Sequence, residues 1–295
     1  AKTPFRHLKF DFFIFLLLPV TLHTTETADA VKRQKKFITG LYSSGDYFNA
    51  IAEARKLQHG NNDRDIEYFI HTCYYLAGQY RTVTGQYKPG LDGNKYLPFM
   101  LLVSQSFIRL EDYTSAYSLL GPLSYDGFEQ KAAFNLLLRR VEPLVLSGDF
   151  EPLDSELLSA SQIMGDYPDY IQLKHDLESF RENQGISPVT GAIMSAIMPG
   201  LGQLWSGRIT DALLSLASVA LPAVGACYMK DNGHNGTAYT LYFFTSLFYA
   251  GNIYGGYNSA RLHEKENCKN NHEKLEKRYG RYDPAIYLRF GRDFN

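Results

Sequence analysis

Apolar residues in the first half of the chain form short runs with helical spacing, separated by polar phrases that end in an aromatic residue. The four phrases are Gly45-Asp46-Tyr47, Gly78-Gln79-Tyr80, Glu111-Asp112-Tyr113 and Gly148-Asp149-Phe150. Their aromatic residues lie 33, 33 and 37 positions apart. This spacing predicts four helix–turn–helix units of about 34 residues each over 31–183.

Small and aromatic residues in these phrases indicate how the two helices of a unit pack. A small residue near the end of the first helix lets the second helix approach, and the aromatic residue fills the gap between them. An alanine three residues after the aromatic permits the same close approach. The predicted packing residues are Gly45, Tyr47, Ala50, Gly78, Tyr80, Tyr113, Ala116, Gly148 and Phe150.

The segments 45–51 and 111–117 resemble the tetratricopeptide repeat family. The second and fourth units depart from the family pattern, with Val83 and Leu153 where a small residue is usual. The resemblance implies a curved solenoid whose concave face binds a protein or peptide partner. A spacer or a lid on the second half of the chain is the alternative role, because no matched set of polar residues indicates a ligand.

Charged residues are absent from two long stretches of the second half, 212–229 and 238–260. Each has about the length of a transmembrane helix. The polar, glycine-containing stretch 230–237 between them is typical of a tight turn. These features predict an antiparallel membrane hairpin within 188–260. Two buried helices of a soluble domain are the alternative, since Pro222 and several Ser and Thr residues interrupt the stretches.

A shorter apolar stretch, 192–205, precedes the predicted hairpin and is interrupted by Pro199-Gly200. It is too short to cross a bilayer, and we expect Gly202 and Gly207 to allow a sharp turn after it. The pattern therefore predicts a reentrant or interfacial segment with Trp205 and Arg208 at the level of the lipid headgroups.

The phrase 199–208 and the later phrase 252–260 resemble a small bacterial membrane family related to TM2-type domains, whose members carry a Pro-Gly-x-Gly-Gln-aromatic motif. The resemblance covers 188–265 and implies location and fold, but no activity. The motif residues are Pro199, Gly200, Gly202, Gln203, Trp205, Gly207, Arg208, Asn252, Tyr254 and Asn258.

Close helix packing is the expected role of the small and polar residues in this region. The pairs Gly191/Ser195, Gly251/Gly255 and Gly256/Ala260 have the small-x-x-x-small spacing that brings helices together in lipid. We expect the amides of Gln203, Asn252 and Asn258 to bond across the helices. Binding of a lipid or a peptide is the alternative role for these three side chains.

The first 30 residues indicate an export signal, with Arg6 and Lys9 before the apolar stretch 12–22 and with Ala28 and Ala30 suited to cleavage after Ala30. An uncleaved anchor or a tail is the alternative. Export would place the repeats on the periplasmic side of a bacterial inner membrane.

The charges beside the predicted hairpin favour the opposite orientation. Arg208, Arg261 and Lys265 flank its ends, whereas its turn carries only Lys230. Our interpretation follows the export signal.

The remaining chemistry points away from an enzyme. A net charge of −1, from 30 basic and 31 acidic residues, gives no electrostatic reason to expect nucleic acid. His263, Cys268 and His272 are too few to fix a zinc ion. No spacing indicates a catalytic arrangement, so we predict no cofactor and no metal.

The segment 261–295 is predicted to be a polar tail. The stretch 261–281 mixes charges of both signs, which is typical of a solvated helix. The stretch 284–290 alternates with period two, which predicts either a strand that pairs with a partner or a plain tail.

Together these patterns predict an all-α, non-enzymatic scaffold, anchored in the membrane and binding a protein or peptide partner through its repeats. The alternative is a factor that handles membrane proteins or lipid through the hairpin, with the repeats as accessory.

Overall fold

The computed structural model describes residues 29–58, 63–87 and 96–290. All regular secondary structure in these residues is helical, which confirms the predicted all-α class. The chain divides into two compact units. Unit 1 is Ala1–Leu120 with Tyr282–Asn295, and unit 2 is Gly121–Arg281. The predicted export signal lies outside the described residues, apart from residues 29 and 30, which belong to the first helix.

The described residues of unit 1 form six α-helices, arranged as three consecutive pairs, together with a short 3-10 helix after α13 in the chain. The helices are α1 (29–43), α2 (Tyr47–Gln58), α3 (Arg64–Leu76), α4 (Tyr80–Gln86), α5 (Leu97–Arg109), α6 (Tyr113–Leu120) and the 3-10 helix η1 (Pro284–Tyr287).

The first helices of the pairs supply most of the core of unit 1. Asp63 caps α3 by accepting a hydrogen bond from the backbone N–H of Asp65, and the helix then buries Tyr68 and Phe69. Helix α5 is apolar on most of its surface and buries Leu101 and Leu102 completely. Since α3 and α5 pack against each other, equivalent helices of successive pairs lie side by side.

Unit 2 contains seven helices. They are α7 (Gln130–Ser147), α8 (Leu153–Met164), α9 (Pro168–Glu182), α10 (Pro188–Ile197), α11 (Leu201–Trp205), α12 (Ile209–Asp231) and α13 (Asn235–Tyr279). Pro222 lies inside α12 without ending it. Helix α13 has 45 residues and is therefore about 67 Å long.

The two halves of α13 have different neighbours within unit 2. Its first half packs against α10, α11 and α12. Its second half packs against α7, where the ring of Tyr279 lies 5.4 Å from that of Phe134, and against α9, where the hydroxyl of Tyr279 donates a 3.0 Å hydrogen bond to Asp176. Leu275 on this half is buried. The stretch 261–281, predicted to be a solvated helix, is thus helical as far as Tyr279 and covered along one side.

One helix in the described part of the chain, α12, is long and apolar enough to cross a membrane. The second predicted span, 238–260, forms the first half of α13 and is not apolar enough by the same measure. Five tyrosines and Asn252 lower its hydropathy.

The predicted strand at 284–290 is wrong. Residues Pro284–Tyr287 form the 3-10 helix η1 instead. Proline lacks the N–H that a strand ladder needs, and its fixed φ suits the first position of a helical turn. The carboxylate of Asp283 completes the turn by accepting a 2.8 Å hydrogen bond from the N–H of Ala285.

Candidate functional site

The first residue of each recurring phrase adopts a left-handed backbone conformation. The φ angles are +80° at Gly45, +74° at Gly78, +60° at Glu111 and +73° at Gly148. Glu111 is the one non-glycine residue with positive φ in the described ranges. Each of these residues ends the first helix of a pair, where a left-handed residue stops the helix.

The first three pairs close with identical hydrogen bonds. The N–H groups of Gly45, Gly78 and Glu111 each donate to the carbonyl three residues earlier, at 3.0 Å. The following N–H groups donate to the carbonyl five residues earlier, at 2.9 to 3.0 Å. This arrangement is the Schellman motif, which satisfies the last carbonyls of a helix.

The second residue of two phrases caps the next helix. Asp46 Oδ1 accepts a 3.4 Å hydrogen bond from the N–H of Asn49, and Asp112 Oδ1 accepts a 3.1 Å bond from the N–H of Ser115. In the phrases 45–47 and 111–113 the three residues are therefore, in order, a helix end, a helix cap and the first residue of the next helix.

The third residue and the position three residues later fix the packing within a pair. Tyr47, Tyr80 and Tyr113 begin α2, α4 and α6 and are half-buried. Phe150 is buried but lies three residues before α8. The later positions are almost completely buried in all four pairs, and they hold Ala50, Val83, Ala116 and Leu153.

The motif residues Gln203 and Asn252 form the centre of a buried polar network between α10, α11, α12 and α13. Gln203 Oε1 accepts a 2.8 Å hydrogen bond from the hydroxyl of Ser195. Gln203 Nε2 donates to the carbonyl of Asn252 and to the hydroxyl of Ser215, both at 3.2 Å. The side chain of Gln203 thereby connects four helices.

Asn252 completes the network by binding the broken backbone after α10. Its Oδ1 accepts a 2.8 Å hydrogen bond from the N–H of Gly200, and its Nδ2 donates a 2.7 Å bond to the carbonyl of Ser195. Gln203 is 2% exposed and Asn252 is 4% exposed. Both amides are therefore engaged on both their oxygen and nitrogen atoms, as buried amides must be.

Glycines allow the backbones around this network to touch. A Cβ at Gly202 would lie 2.1 Å from the carbonyl oxygen of Gly191, and a Cβ at Gly256 would lie 2.5 Å from the same atom. A Cβ at Gly200 would lie 2.4 Å from the carbonyl oxygen of Ala212. The Gly191/Ser195 pair thus packs onto the Gly256/Ala260 pair, as small residues do between close helices.

Two glycines do not have their predicted roles. Gly202 lies inside α11 as a contact point, and the turns on either side use Gly200 and Gly207, at φ +89° and +76°. Gly251 has nothing within 4 Å of where its Cβ would be, so of its predicted pair only Gly255 makes a close contact, with Gln203.

The structure does not bring the other motif residues into the network. Pro199 is half-buried in the turn, and Trp205 and Tyr254 are exposed on the outer surface. Arg208 is also exposed and forms a 2.6 Å ion pair with Asp211. Asn258 is half-buried on α13.

Two serine hydroxyls in the network were missed by the sequence analysis. Ser195 was predicted only as a small residue, yet its hydroxyl also accepts a 3.1 Å hydrogen bond from the N–H of Gly202. Ser215 was not singled out at all. A serine at a small-x-x-x-small position near a buried amide is the feature that indicates this role.

A buried ion pair on the fourth helix pair was also missed. Arg140 in α7 lies 2.9 Å from Glu156 in α8, and the hydroxyl of Tyr125 donates a 3.1 Å hydrogen bond to the same carboxylate. Arg140 also donates to the carbonyl of Gly121. The feature of the sequence that indicates such a pair is a charged residue inside an apolar helical run.

The three residues considered for zinc have separate neighbours. His263 lies against Asn267, His272 lies 4.0 Å from the carboxylate of Glu142, and the sulfur of Cys268 faces Gly148. Burial raises the pKa of the Cys268 thiol, which makes it a poor nucleophile.

Comparison of the chain with protein-family models, with curated proteins and with solved structures gives no match.

Proposed function

We propose that this protein is a non-enzymatic scaffold, anchored in a bacterial inner membrane by α10–α13, that binds a protein or peptide partner through its tetratricopeptide-like helix pairs. The anchor is a reentrant segment, α10–α11, followed by a hairpin made of α12 and the first half of α13. The partner-binding part consists of the pairs in unit 1, whose shared closing motif gives them equivalent faces.

The proposal rests on the placement of side chains in α10–α13, where polar groups lie inside and large apolar groups lie on the surface. Their polar side chains Gln203 and Asn252 are buried, whereas large apolar side chains such as Leu221, 72% exposed, Val224 and Phe243 point outward. In water this arrangement exposes an extensive apolar surface. In lipid it is favourable, because apolar side chains contact acyl chains while polar groups bond between helices.

The dimensions of α12 and its flanking residues support the same placement. Its 23 residues span about 34 Å, enough for a hydrocarbon core of about 30 Å. Trp205 and Arg208 precede the helix, and Lys230 and Asp231 end it. An aromatic and charged residues at the ends of an apolar helix are typical of anchoring at the membrane interface.

The alternative, handling of lipid or membrane proteins through the hairpin, would use the amides of Gln203 and Asn252. The Gln203 amide bonds to the hydroxyls of Ser195 and Ser215 and to the backbone of Asn252, and the Asn252 amide bonds to the backbone at Gly200 and Ser195. Because these hydrogen bonds lie within the protein, they favour a role in holding the helices together over a role in binding a ligand.

Cysteine accessibility in intact cells tests the anchor. After replacement of the native Cys73, Cys227 and Cys268, a single cysteine is placed at Asn232, in the α12–α13 turn, or at Ser155, on α8. Both positions are exposed. A membrane-impermeant thiol reagent should label one position and not the other. Labelling at position 155 alone would place the repeats in the periplasm. Labelling at position 232 alone would place them in the cytoplasm.

Labelling of both positions would contradict a hairpin that crosses the membrane. Cells opened before labelling provide the control, because both cysteines must then react.

Site-specific photo-crosslinking tests the partner-binding role. A photoreactive phenylalanine analogue replaces either Phe37 in α1 of unit 1 or Phe243 on the hairpin, and both side chains are exposed. We expect a discrete protein adduct from position 37. An adduct from position 243 alone would favour the membrane-handling alternative.

A further inference from the structure

Unit 1 is completed by a segment from the far end of the chain. Residues Tyr282–Phe290 lie in unit 1 although they follow all of unit 2 in sequence. Tyr282, Pro284, Leu288 and Phe290 are buried, whereas Asp283, Ile286 and Arg289 are exposed. We call this nine-residue stretch the C-terminal segment. It presents one side to the helices, as a bound peptide does.

The C-terminal segment contacts the first helix of all three pairs. The ring of Phe290 packs 4.6 Å from that of Phe69 in α3, and the ammonium of Lys35 in α1 lies 5.6 Å from the same ring. The ring of Tyr282 lies 6.0 Å from that of Tyr75 in α3. Helix η1 packs against α5. The segment therefore crosses equivalent helices of successive repeats.

One contact recognises the backbone of the segment and not its side chains. The hydroxyl of Tyr68 donates a 3.0 Å hydrogen bond to the carbonyl oxygen of Pro284, and Tyr68 itself is 2% exposed. A buried donor aimed at a main-chain carbonyl, beside two aromatic contacts, is a combination by which grooves bind peptides. Pro284 also reduces the entropy lost on binding, because its φ angle is already fixed.

We propose that the face formed by α1, α3 and α5 is a peptide-docking surface, and that the C-terminal segment is its built-in occupant. The surface binds a peptide with an aromatic residue, a proline two positions later and a phenylalanine six positions after the proline. A partner carrying this pattern docks by displacing the segment. The inference rests on the proposed partner-binding function and names the chemistry of the partner.

A competition experiment on the full chain in detergent tests the proposal. The probe is a fluorescent peptide of sequence Tyr-Asp-Pro-Ala-Ile-Tyr-Leu-Arg-Phe, and its binding is followed by fluorescence polarisation. In the wild-type chain the tethered segment competes at high effective concentration, so binding should be weak. The double variant Tyr282→Ala/Phe290→Ala should bind the probe at least about tenfold more tightly.

Matched controls separate recognition from nonspecific binding. Ile286→Ala alters an exposed side chain of the segment and should leave probe binding as in the wild type. A probe with alanine at both aromatic ends should not bind. Tyr68→Phe, added to the double variant, removes only the hydroxyl that recognises the Pro284 carbonyl and should weaken binding about fivefold.

The opposite results overturn the proposal. If the double variant loses helicity in unit 1, or folds but does not bind the probe, the segment is a permanent part of the core. If Ile286→Ala releases the surface as fully as the double variant, recognition does not depend on the aromatic ends. Since the titration reports only on unit 1, its failure is distinct from a failure of the membrane-labelling experiment.

Discussion

Asn252 in α13 accepts a 2.8 Å hydrogen bond from the backbone N–H of Gly200, which lies 52 residues earlier in the chain. The bond satisfies a donor that the break between α10 and α11 leaves without a helical partner. A polar side chain on one long helix thus stabilises an interrupted backbone elsewhere in the unit.

Removal of this side chain gives the first prediction. Asn252→Ala leaves the N–H of Gly200 and the carbonyl of Ser195 buried without their partner, so we expect a loss of roughly 1–3 kcal/mol in the stability of the α10–α13 region. Fluorescence of Trp205, the single tryptophan, reports unfolding of this region in detergent. Asn258→Ala, on the same helix but outside the network, should change little. Equal effects of the two variants would contradict a special role for Asn252.

Close backbone contact gives the second prediction. Gly202→Ala places a Cβ 2.1 Å from the carbonyl oxygen of Gly191, so α10 and α11 must separate, at an expected cost of about 3 kcal/mol or more. Gly251→Ala is the control, because its Cβ meets nothing within 4 Å. Trp205 fluorescence during thermal unfolding compares the two. A fully stable Gly202→Ala variant would show that the contact is not tight.

The left-handed turn residues give the third prediction. Glu111→Gly should stabilise unit 1 by roughly 0.5–1 kcal/mol, because glycine adopts φ of +60° without the strain of a side chain. Gly78→Ala should destabilise unit 1 by about 1 kcal/mol. The cause is the positive φ angle alone, since no atom lies within 4 Å of the added Cβ. Gly85→Ala, within α4, should be neutral or stabilising.

Hydrogen exchange of peptides from α3 and α5 measures how each of these three substitutions changes the stability of unit 1. A stabilising Gly78→Ala variant would show that the turn can change its conformation.

The buried ion pair gives the fourth prediction. Glu156→Gln leaves the guanidinium of Arg140 buried without its carboxylate, and we expect a loss of about 3 kcal/mol or more. Glu273→Gln removes the exposed ion pair with Lys269 and should cost less than about 0.5 kcal/mol. Urea unfolding, followed by exchange in α7 and α8, compares the two. A small effect at Glu156 would mean that water enters this site.

His71 gives the fifth prediction, a dependence of stability on pH. Burial, and secondarily the charge of Arg55, lowers the pKa of His71 to about 4, against about 6.5 in the unfolded chain. Between these values the unfolded chain binds the proton and the folded one does not. Unit 1 should therefore keep its full stability above about pH 6.5 and lose roughly 1–2 kcal/mol by pH 5.

His71→Gln removes the titrating group and should flatten this profile, whereas His175→Gln, at an exposed position, should leave it unchanged. Urea midpoints measured from pH 8 to pH 4.5 provide the comparison. An unchanged slope in His71→Gln would assign the acid sensitivity to other groups.

Local features of the fold were predictable from the sequence because their causes are local. All four phrases begin with a left-handed helix end, and those at 45–47 and 111–113 also supply a capping carboxylate and a helix start within three residues, so no distant contact is needed. Uncharged stretches and the Pro199-Gly200 break likewise reveal α12 and the interruption before it. The period-two stretch at 284–290 suggested a strand wrongly, because its apolar residues do not share one buried face: Pro284, Leu288 and Phe290 are buried, whereas Ile286 is exposed.

The sequence by itself determined the helical class, the positions of the four helix–turn–helix joints and the apolar character of α12. Only the tertiary structure decided that Ser195 and Gln203 share a hydrogen bond, that Arg140 and Glu156 pair inside a core, and that the C-terminal segment lies across α3. The physical reason is separation along the chain. Turns and caps are set by neighbouring residues, whereas these contacts depend on which distant surfaces meet, and residue spacing does not encode that choice.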